Sequence, residues 1–402
     1  MKRRVVITGI GIITGLGVGK DVNWKNMIDG KSSVAEITSF DTSRYQGKKG
    51  SEIKLLELPS MKHLNPERID RATILLIIAI KEALEEAGFG EDKRQQIPVL
   101  LSLGTTLGGM LSGETFHKAV LDKGLRRAPL SLIMDYLAHC QARKIFKEFG
   151  LIGDYLVISD ACASGTNAIG NAYRRISHGE FDMAICGGYD TMSEFTFSGF
   201  NSLMAVTPTV CRPFDRDRDG LVLGEAAGIM VLEALDFAKQ RGARILCEIA
   251  GYGCSSDAYH MTGPDTSGRY AAEAIYKAWH EAGLVEIDYI NAHGTATRYN
   301  DLMEARAINI VFNEKAKKIP VSSIKPLIGH TLGAAGAIEA IVSVLSILYN
   351  QIPPNINLKN PDPECPINVV NQPQHKEVKT SMSNSFGFGG ANASIVFREF
   401  AE

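Results

Sequence analysis

Cys162, His293, Lys325 and His330 are the residues of this 402-residue chain whose types and settings suit chemistry. Cys162 lies in Leu156 to Ile176, LVISDACASGTNAIGNAYRRI, between an uncharged β-prone segment and apolar residues at 169, 172, 173 and 176, the spacing of one helix face. Its neighbours Ala161, Ala163, Ser164 and Gly165 are too small to block an approaching group. A thiol at the mouth of a helix meets unpaired backbone N–H groups and the positive end of the dipole, which favour the thiolate and lower its pKa. The chain is thus expected to run from a buried strand into a helix with a nucleophile at the junction. A buried, inert cysteine is the alternative for the sulfur taken alone. Three further segments carry candidates. The strand Tyr289 to Ala292 leads to His293-Gly294-Thr295, and Val321 to Ile324 leads to Lys325 and Gly329-His330. Asn384 to Gly390, NSFGFGG, offers glycines whose bare backbone N–H groups can face a ligand. A lone histidine is more often structural than catalytic, so these residues can act only if elements of the fold gather them.

An internal repeat supplies them. AIKEALEEAGF (Ala79 to Phe89) aligns with AIYKAWHEAGL (Ala274 to Leu284), each a helix with a glycine stop. IPVLLSLGTTLG (Ile97 to Gly108) aligns with IDYINAHGTATR (Ile287 to Arg298), both strands closing on Gly-Thr. A small-residue helix opens at Cys162 and another at His330, and the halves end alike in GEAAGIMVLE (Gly224 to Glu233) and GGANASIVFRE (Gly389 to Glu399). Strands alternating with helices imply two α/β units with largely parallel sheets. Their division is expected around Leu235 to Arg244, giving halves 1–240 and 241–402. Small-residue helices approach closely, so the two should pack side by side between the sheets and bring Cys162 and His330 into one pocket.

Composition excludes several classes of function. A hydrophobic content of 45% rules out a mainly disordered chain, and a net charge of −2 without any Lys/Arg-rich tract argues against nucleic-acid binding. Seven scattered cysteines without a CxxC pair suggest neither a disulfide framework nor a zinc site, and fit a reducing, cytoplasmic setting. The basic start Met1 to Arg4 before VVITGIGIITGLG superficially matches a cleaved signal, but its four glycines favour strand and turn. The apolar run Ala72 to Ile80 is far short of the roughly 20 residues of a membrane span. Gly9-Ile10-Gly11 fails the dinucleotide fingerprint because its sixth position is Thr14, leaving a glycine-permitted turn, and no P-loop occurs. Arg44 to Lys54 reads as polar surface loop.

Taken together, ACASGT at 161 to 166, NAHGTAT at 291 to 297, IKPLIGHTLGAAGAIE at 324 to 339 and NSFGFGGAN at 384 to 392 resemble the β-ketoacyl-acyl carrier protein synthases of the thiolase superfamily, closest to the type II elongating, Cys-His-His condensing enzymes. The resemblance covers essentially the whole chain and includes CRPFD at 211 to 215 and SDAYHMT at 256 to 262. It implies a thiolase-like fold of two duplicated halves layered αβαβα. It also implies decarboxylative Claisen condensation of an acyl thioester with malonyl-acyl carrier protein, without metal or organic cofactor. Cys162 would carry the acyl chain, and its backbone N–H with that of Phe388 would form the oxyanion hole. His293 and His330 would donate to the malonyl thioester carbonyl.

Supporting roles follow from the same resemblance. Lys325 and Glu339 would orient the histidines, with a structural salt bridge as the alternative. Asp301 would brace that region and count among the substrate-binding residues, Thr295 and Thr297 would contact the pantetheine arm, Phe388 and Phe200 would gate the acyl tunnel, and Leu107 would line its far end. The partner implied is acidic acyl carrier protein, met by a basic patch of Arg68, Arg71, Lys123, Arg126 and Arg127, within a homodimer. Departures from the family pattern are Arg298-Tyr299 where Pro commonly follows Thr297, Ala391 for Thr, Ala226 for Gly, and Met204 where a basic residue is often found. Rival readings are a non-catalytic chain-length factor, which would lack the cysteine, a thiolase or initiating synthase with a different residue set, and a Cys-His hydrolase with no use for a second histidine.

Overall fold

The computed structural model describes residues 2–54, 58–94 and 96–401, so Met1 of the signal-like start lies outside the described residues. Strands β1 (Val5–Thr14), β2 (Val99–Gly104), β3 (Gly153–Ile158), β4 (Met183–Asp190) and β5 (Ala226–Ala234) belong to the first half, with helices α1 (Arg71–Glu86), α2 (Met110–Lys123) and α3 (Ser164–Ser177). The second half has β6 (Cys247–Ser256), β7 (Tyr289–Asn291), β8 (Pro320–Ser322), β9 (Thr380–Gly387) and β10 (Ala391–Arg398), with α4 (Arg269–Glu281), α5 (Arg298–Phe312) and α6 (Ala335–Tyr349). The strand orders are β1-β5-β4-β2-β3 and β6-β10-β9-β7-β8, one plan used twice. In each, the strand holding the second place runs antiparallel to both neighbours and the last three are parallel. The halves join where β1 pairs with β6 over Val5 to Ile7.

Helices α1 and α4 cover the outer faces, while α3 and α6 pack on each other between the sheets. This is the αβαβα layering of a duplicated α/β fold. Its outer contacts are made by glycines inside strands. A Cβ added at Gly9 or Gly11 would come within 2.1 and 1.8 Å of the Ala83 and Ala79 carbonyl oxygens, and one at Gly251 or Gly253 within 2.2 and 2.3 Å of those of Ala278 and Ala274. Each pair follows a matching bulge, between Ile7 and Gly9 and between Ile249 and Gly251. Gly9-Ile10-Gly11 is therefore no turn. It is the middle of a ten-residue strand, and its glycines serve the close approach of α1. In the central layer Gly165 performs the same service, since a Cβ there would lie 2.7 Å from the Ala337 nitrogen.

Two other expectations change. β3 is not a buried strand but the last in its half, paired only with β2, with residues 153–155 exposed. Arg44 to Lys54 is not all surface loop, because Lys49–Ser51 pairs with Ala35–Glu36 and Leu223–Gly224 and both Ser51 and Ile53 are buried. Among the described residues one helical stretch, Leu332–Tyr349, is long and apolar enough to cross a membrane, and 89% of it is buried. The core explains that apolarity, because α6 is the central helix on which both sheets pack.

Candidate active site

The chain turns sharply between β3 and α3. Ala161 has a left-handed φ of 46°, and the first helical residue is Ser164, so Cys162 sits on the elbow just before the helix. Its sulfur faces a cavity of about 510 Å³ that also bears His293, His330, Phe386, Phe388 and Phe200. The His330 Nε2 is 3.0 Å from the Cys162 sulfur, and the reactive atoms of Cys162, His293 and His330 all lie within 4.8 Å of one another. Folding thus brings together the three residues that the repeat was expected to gather.

The backbone of His330 is clamped, its N–H donating to the Val222 carbonyl at 2.6 Å and its carbonyl accepting from Gly224. The Leu332 N–H donates to the His330 Nδ1 at 3.2 Å, which leaves the proton of the neutral ring on Nε2. Lys325 does the same for His293, placing its Nζ 3.2 Å from Nδ1 while also binding the His293 carbonyl and Glu339. Burial and the Lys325 charge hold both imidazoles well below the ordinary histidine range, so they stay neutral. The result is two neutral rings, edge to face with centroids 5.3 Å apart, each with its Nε2–H turned to the cavity, that of His330 towards the Cys162 sulfur. This arrangement fits poorly with a metal, because protons stand where lone pairs would be needed and the Lys325 ammonium is adjacent.

The sulfur departs from expectation. Burial pushes the Cys162 thiol up to about 12, opposed by the Lys325 charge, raised further by Glu339, and opposed again by a hydrogen bond from the Phe388 N–H. The helix dipole does not prevail, since the thiol is fully enclosed and α3 begins two residues later. Above it, Gly387 keeps the space beside the Cys162 nitrogen open, because a Cβ there would lie 3.1 Å from that atom. The rings of Phe388 and Phe200 stack at 5.6 Å over the cavity.

Other expected residues divide. Thr295 and Thr297 line the cavity with their hydroxyls 2.8 Å apart. Leu107 lies outside the cavity lining and joins Phe200, Leu332, Met192 and Phe197 in an apolar cluster beyond it. Asp301 is not at the cavity, which corrects its place among substrate contacts. It is fully buried, accepts from the Phe214 N–H at 2.8 Å and stands 3.8 Å from Arg218, so it braces the Cys211 to Asp219 loop. Arg71 is likewise corrected as a carrier contact, because its guanidinium is taken by the buried Glu225 at 2.6 Å. Arg68, Lys123, Arg126 and Arg127 are exposed, and none lines the cavity. Met204, 84% exposed, and Tyr299, 61% exposed, stand at the cavity rim.

Sequence reasoning missed Glu304. Its buried carboxylate accepts from the N–H groups of His293 and Gly294 at 2.9 and 2.8 Å, and burial, opposed by those two donors, raises it to about 8. A glutamate at the inward face of the helix following NAHGTAT was the available signal. Phe386, edge-on to His293 at 5.9 Å, was also missed.

Comparisons with known proteins agree with this geometry. Residues 2–238 match the beta-ketoacyl synthase N-terminal domain family and residues 246–359 the corresponding C-terminal domain family. The chain is 38% identical over 410 aligned residues to 3-oxoacyl-[acyl-carrier-protein] synthase 2 of Staphylococcus aureus strain COL, covering 99% of both. It is 37% identical to the protein of that name from Synechocystis, again covering 99% of both. Among solved structures it resembles the ishigamide ketosynthase/chain length factor, with a TM-score of 0.94 and 34% identity over 100% of both chains. It also resembles a beta-ketoacyl synthase from Burkholderia phymatum, with a TM-score of 0.92 and 32% identity over 100% of both.

Proposed function

The chain belongs to the beta-ketoacyl synthase family, and from that premise we propose that it condenses a Cys162-bound acyl group with malonyl-acyl carrier protein to give 3-ketoacyl-acyl carrier protein. The Cys162 sulfur attacks the acyl thioester, the bond to the pantetheine sulfur breaks, and the thiol proton ends on that departing sulfur. The N–H groups of Cys162 and Phe388 face the carbonyl oxygen as charge develops, and Thr295 and Thr297 meet the pantetheine arm. The malonyl thioester carbonyl then accepts from the Nε2–H groups of His293 and His330. Its carboxylate leaves as CO₂, the released electron pair forms the enolate, and the enolate carbon attacks the acyl carbon. Cys162 departs as thiolate and takes a proton from solvent. No electron is gained or lost overall, so the reaction calls for no redox cofactor.

The observation that carries this reading is the pair of neutral imidazoles with Nδ1 occupied and Nε2–H turned towards one sulfur. A hydrolase needs one base and a water, whereas two fixed donors suit a developing enolate. A chain-length factor has no use for a thiol 3.0 Å from an imidazole. Halves 1–240 and 241–402 divide the work, the first supplying sulfur and the second imidazoles. The open edge of β3 is where a second copy would extend the sheet, and seven free thiols suit the cytoplasm. Intact-mass detection of acyl transfer from acyl-carrier thioesters, followed by a malonyl-carrier chase, tests the proposal. Wild type gains and then loses the acyl mass with release of 3-ketoacyl product, and Cys162→Ala gains none. Transfer that survives in Cys162→Ala sinks the reading.

A further inference from the structure

Asp190, at the end of β4, is a fully buried carboxylate with no ion-pair partner among the described residues. Four donors surround it instead. Oδ1 accepts from the Thr105 hydroxyl at 2.6 Å and the Leu107 N–H at 3.0 Å, while Oδ2 accepts from the Thr106 N–H at 2.9 Å and the Gly333 N–H at 2.7 Å. An ionised group enclosed this way is held by hydrogen bonds alone, and burial, against those donors, raises it to about 6.

The donors come from two places that matter. Residues 105–107 form the turn after β2, whose Leu107 joins Phe200 and Leu332 in the apolar cluster beyond the cavity. Thr106 also reaches the nucleophile's elbow, its hydroxyl donating to the Ala161 carbonyl at 3.1 Å. Gly333 follows His330 and Leu332, the residue whose N–H fixes the His330 tautomer. Gly333 has room for nothing else, since a Cβ there would lie 2.5 Å from the Thr106 nitrogen and 2.7 Å from the Asp190 Oδ2.

We propose that Asp190 is a positioning residue that locks the Leu107 turn to the His330–Gly333 segment, so that the wall met by the acyl chain and the imidazole facing Cys162 keep one fixed relation. The acyl part rests on the condensing reading above, and the His330 part does not. The two oxygens make separable predictions. In Asp190→Asn the oxygen keeps Thr106 and Gly333, the amide nitrogen turns to the Thr105 hydroxyl, which can accept, and only donors on the Leu107 side, the Leu107 N–H and the Thr105 O–H, lose their acceptor. His330 then stays in place while the Leu107 turn loosens. In Asp190→Ala both grips go.

Two readouts separate the grips. The first is the pH profile of Cys162 alkylation by iodoacetamide, which needs no thioester and reports the His330 contact. The second is the rate of acyl transfer to Cys162 across a ladder of acyl-carrier chain lengths. Asp190→Asn is expected to keep the wild-type alkylation profile while discrimination between its best chain and longer ones relaxes about fivefold, an effect of roughly 1 kcal/mol typical of a lost buried hydrogen bond. Asp190→Ala is expected to slow alkylation at neutral pH about tenfold. Asn carries the test alone if Ala does not fold. Asn slowing transfer by one factor at every chain length, or leaving the ladder unchanged, overturns the assignment. So does alkylation unaltered in a folded Ala variant. Wild-type protein that alkylates normally yet takes no acyl group from any thioester would count against the condensing reading, with the alkylation arm still deciding whether Asp190 holds His330.

Discussion

The turn after β2 and the turn after β7 occupy the same place in the repeated plan, with Gly104-Thr105 aligned on Gly294-Thr295. Each is held from beneath by a buried carboxylate that takes backbone N–H groups at its strand end, Asp190 in the first half and Glu304 in the second. The carboxylates come from different elements, Asp190 from the neighbouring strand β4 and Glu304 from the following helix α5. What the turns carry differs more. The first directs Leu107 to an apolar cluster, and the second presents His293 beside Lys325. Duplication supplied two rigid strand ends, and the side chains mounted on them give the first half an apolar wall, tied through Thr106 to the Cys162 elbow, and the second half an imidazole beside Lys325. In kinetic terms, second-half substitutions should weigh on decarboxylation and first-half ones on acylation and binding.

The largest effect that tests this division is expected from His293→Ala. It removes one of two preset donors, a loss of about 10²- to 10³-fold in malonyl decarboxylation, while acyl transfer to Cys162 stays within a fewfold of wild type. Equal loss in both half-reactions, measured by CO₂ release and intact mass, would break the division. Glu304→Gln comes next. The amide keeps one acceptor and turns its NH₂ against the other N–H of the His293–Gly294 pair, so decarboxylation should fall about tenfold, the kinetic equivalent of one buried donor left unpaired. Its acyl ladder should keep the wild-type shape, opposite to the outcome for Asp190→Asn.

Titration sharpens the same contrast within a single pocket. His293 and His330 lie well below the ordinary histidine value, so the neutral donor form is complete above that lowered pKa and is lost only as pH falls through it. Histidine titration should therefore put no inflection on decarboxylation at the usual 6.5 or so, and any slope between about pH 6 and 8 belongs to Glu304, raised by burial to about 8. Cys162, pushed up to about 12, remains a thiol across that window, so its alkylation rate should climb about tenfold per unit without levelling. A plateau of alkylation near neutrality would show that the helix end governs the sulfur after all.

Much of this frame could be read from sequence because the repeat is written in residues whose roles are steric. Ala79 and Ala83 align on Ala274 and Ala278, and these are the residues that the strand glycines receive. The matching VVITGIG and CEIAGYG segments went unpaired, because a glycine pair reads as a turn until its bulge and its helix neighbour are seen. Cys162, His293 and His330 were legible as strand-end residues in a doubled plan. Their pKa values were not, since burial is set by everything packed around them. Arg71 and Asp301 were misplaced for one reason: a charged residue looks free in sequence, and the partners that engage these two, Glu225 and Arg218, lie 154 and 83 positions away. Asp190 gave no signal alone, as its donors come from segments more than 80 positions away, whereas Glu304 lies only 10 and 11 positions from the N–H groups that it accepts.

The smallest expected effect concerns the exposed cations of the first half. Arg126 and Arg127 lie in the turn Leu125–Arg127 after α2, exposed and without a salt bridge to one another's neighbours in the described chain, whereas the cavity rim is formed by Met204, Leu203, Tyr299 and Arg298. Charges so placed can act on an acidic carrier only through solvent, where a pair contributes about 0 to 1 kcal/mol and is screened over roughly 10 Å at 0.1 M salt. Arg126→Glu with Arg127→Glu should therefore raise KM for malonyl-carrier protein about three- to tenfold at low salt, converge on wild type at high salt, and leave kcat unchanged. KM measured across a salt series checks this, with a malonyl-pantetheine thioester lacking the carrier as the control that should not respond. A fall in kcat, or an effect that persists at high salt, would mean that these residues act on the site itself, and the assignment of binding to the first half and chemistry to the second would fail at its outer surface.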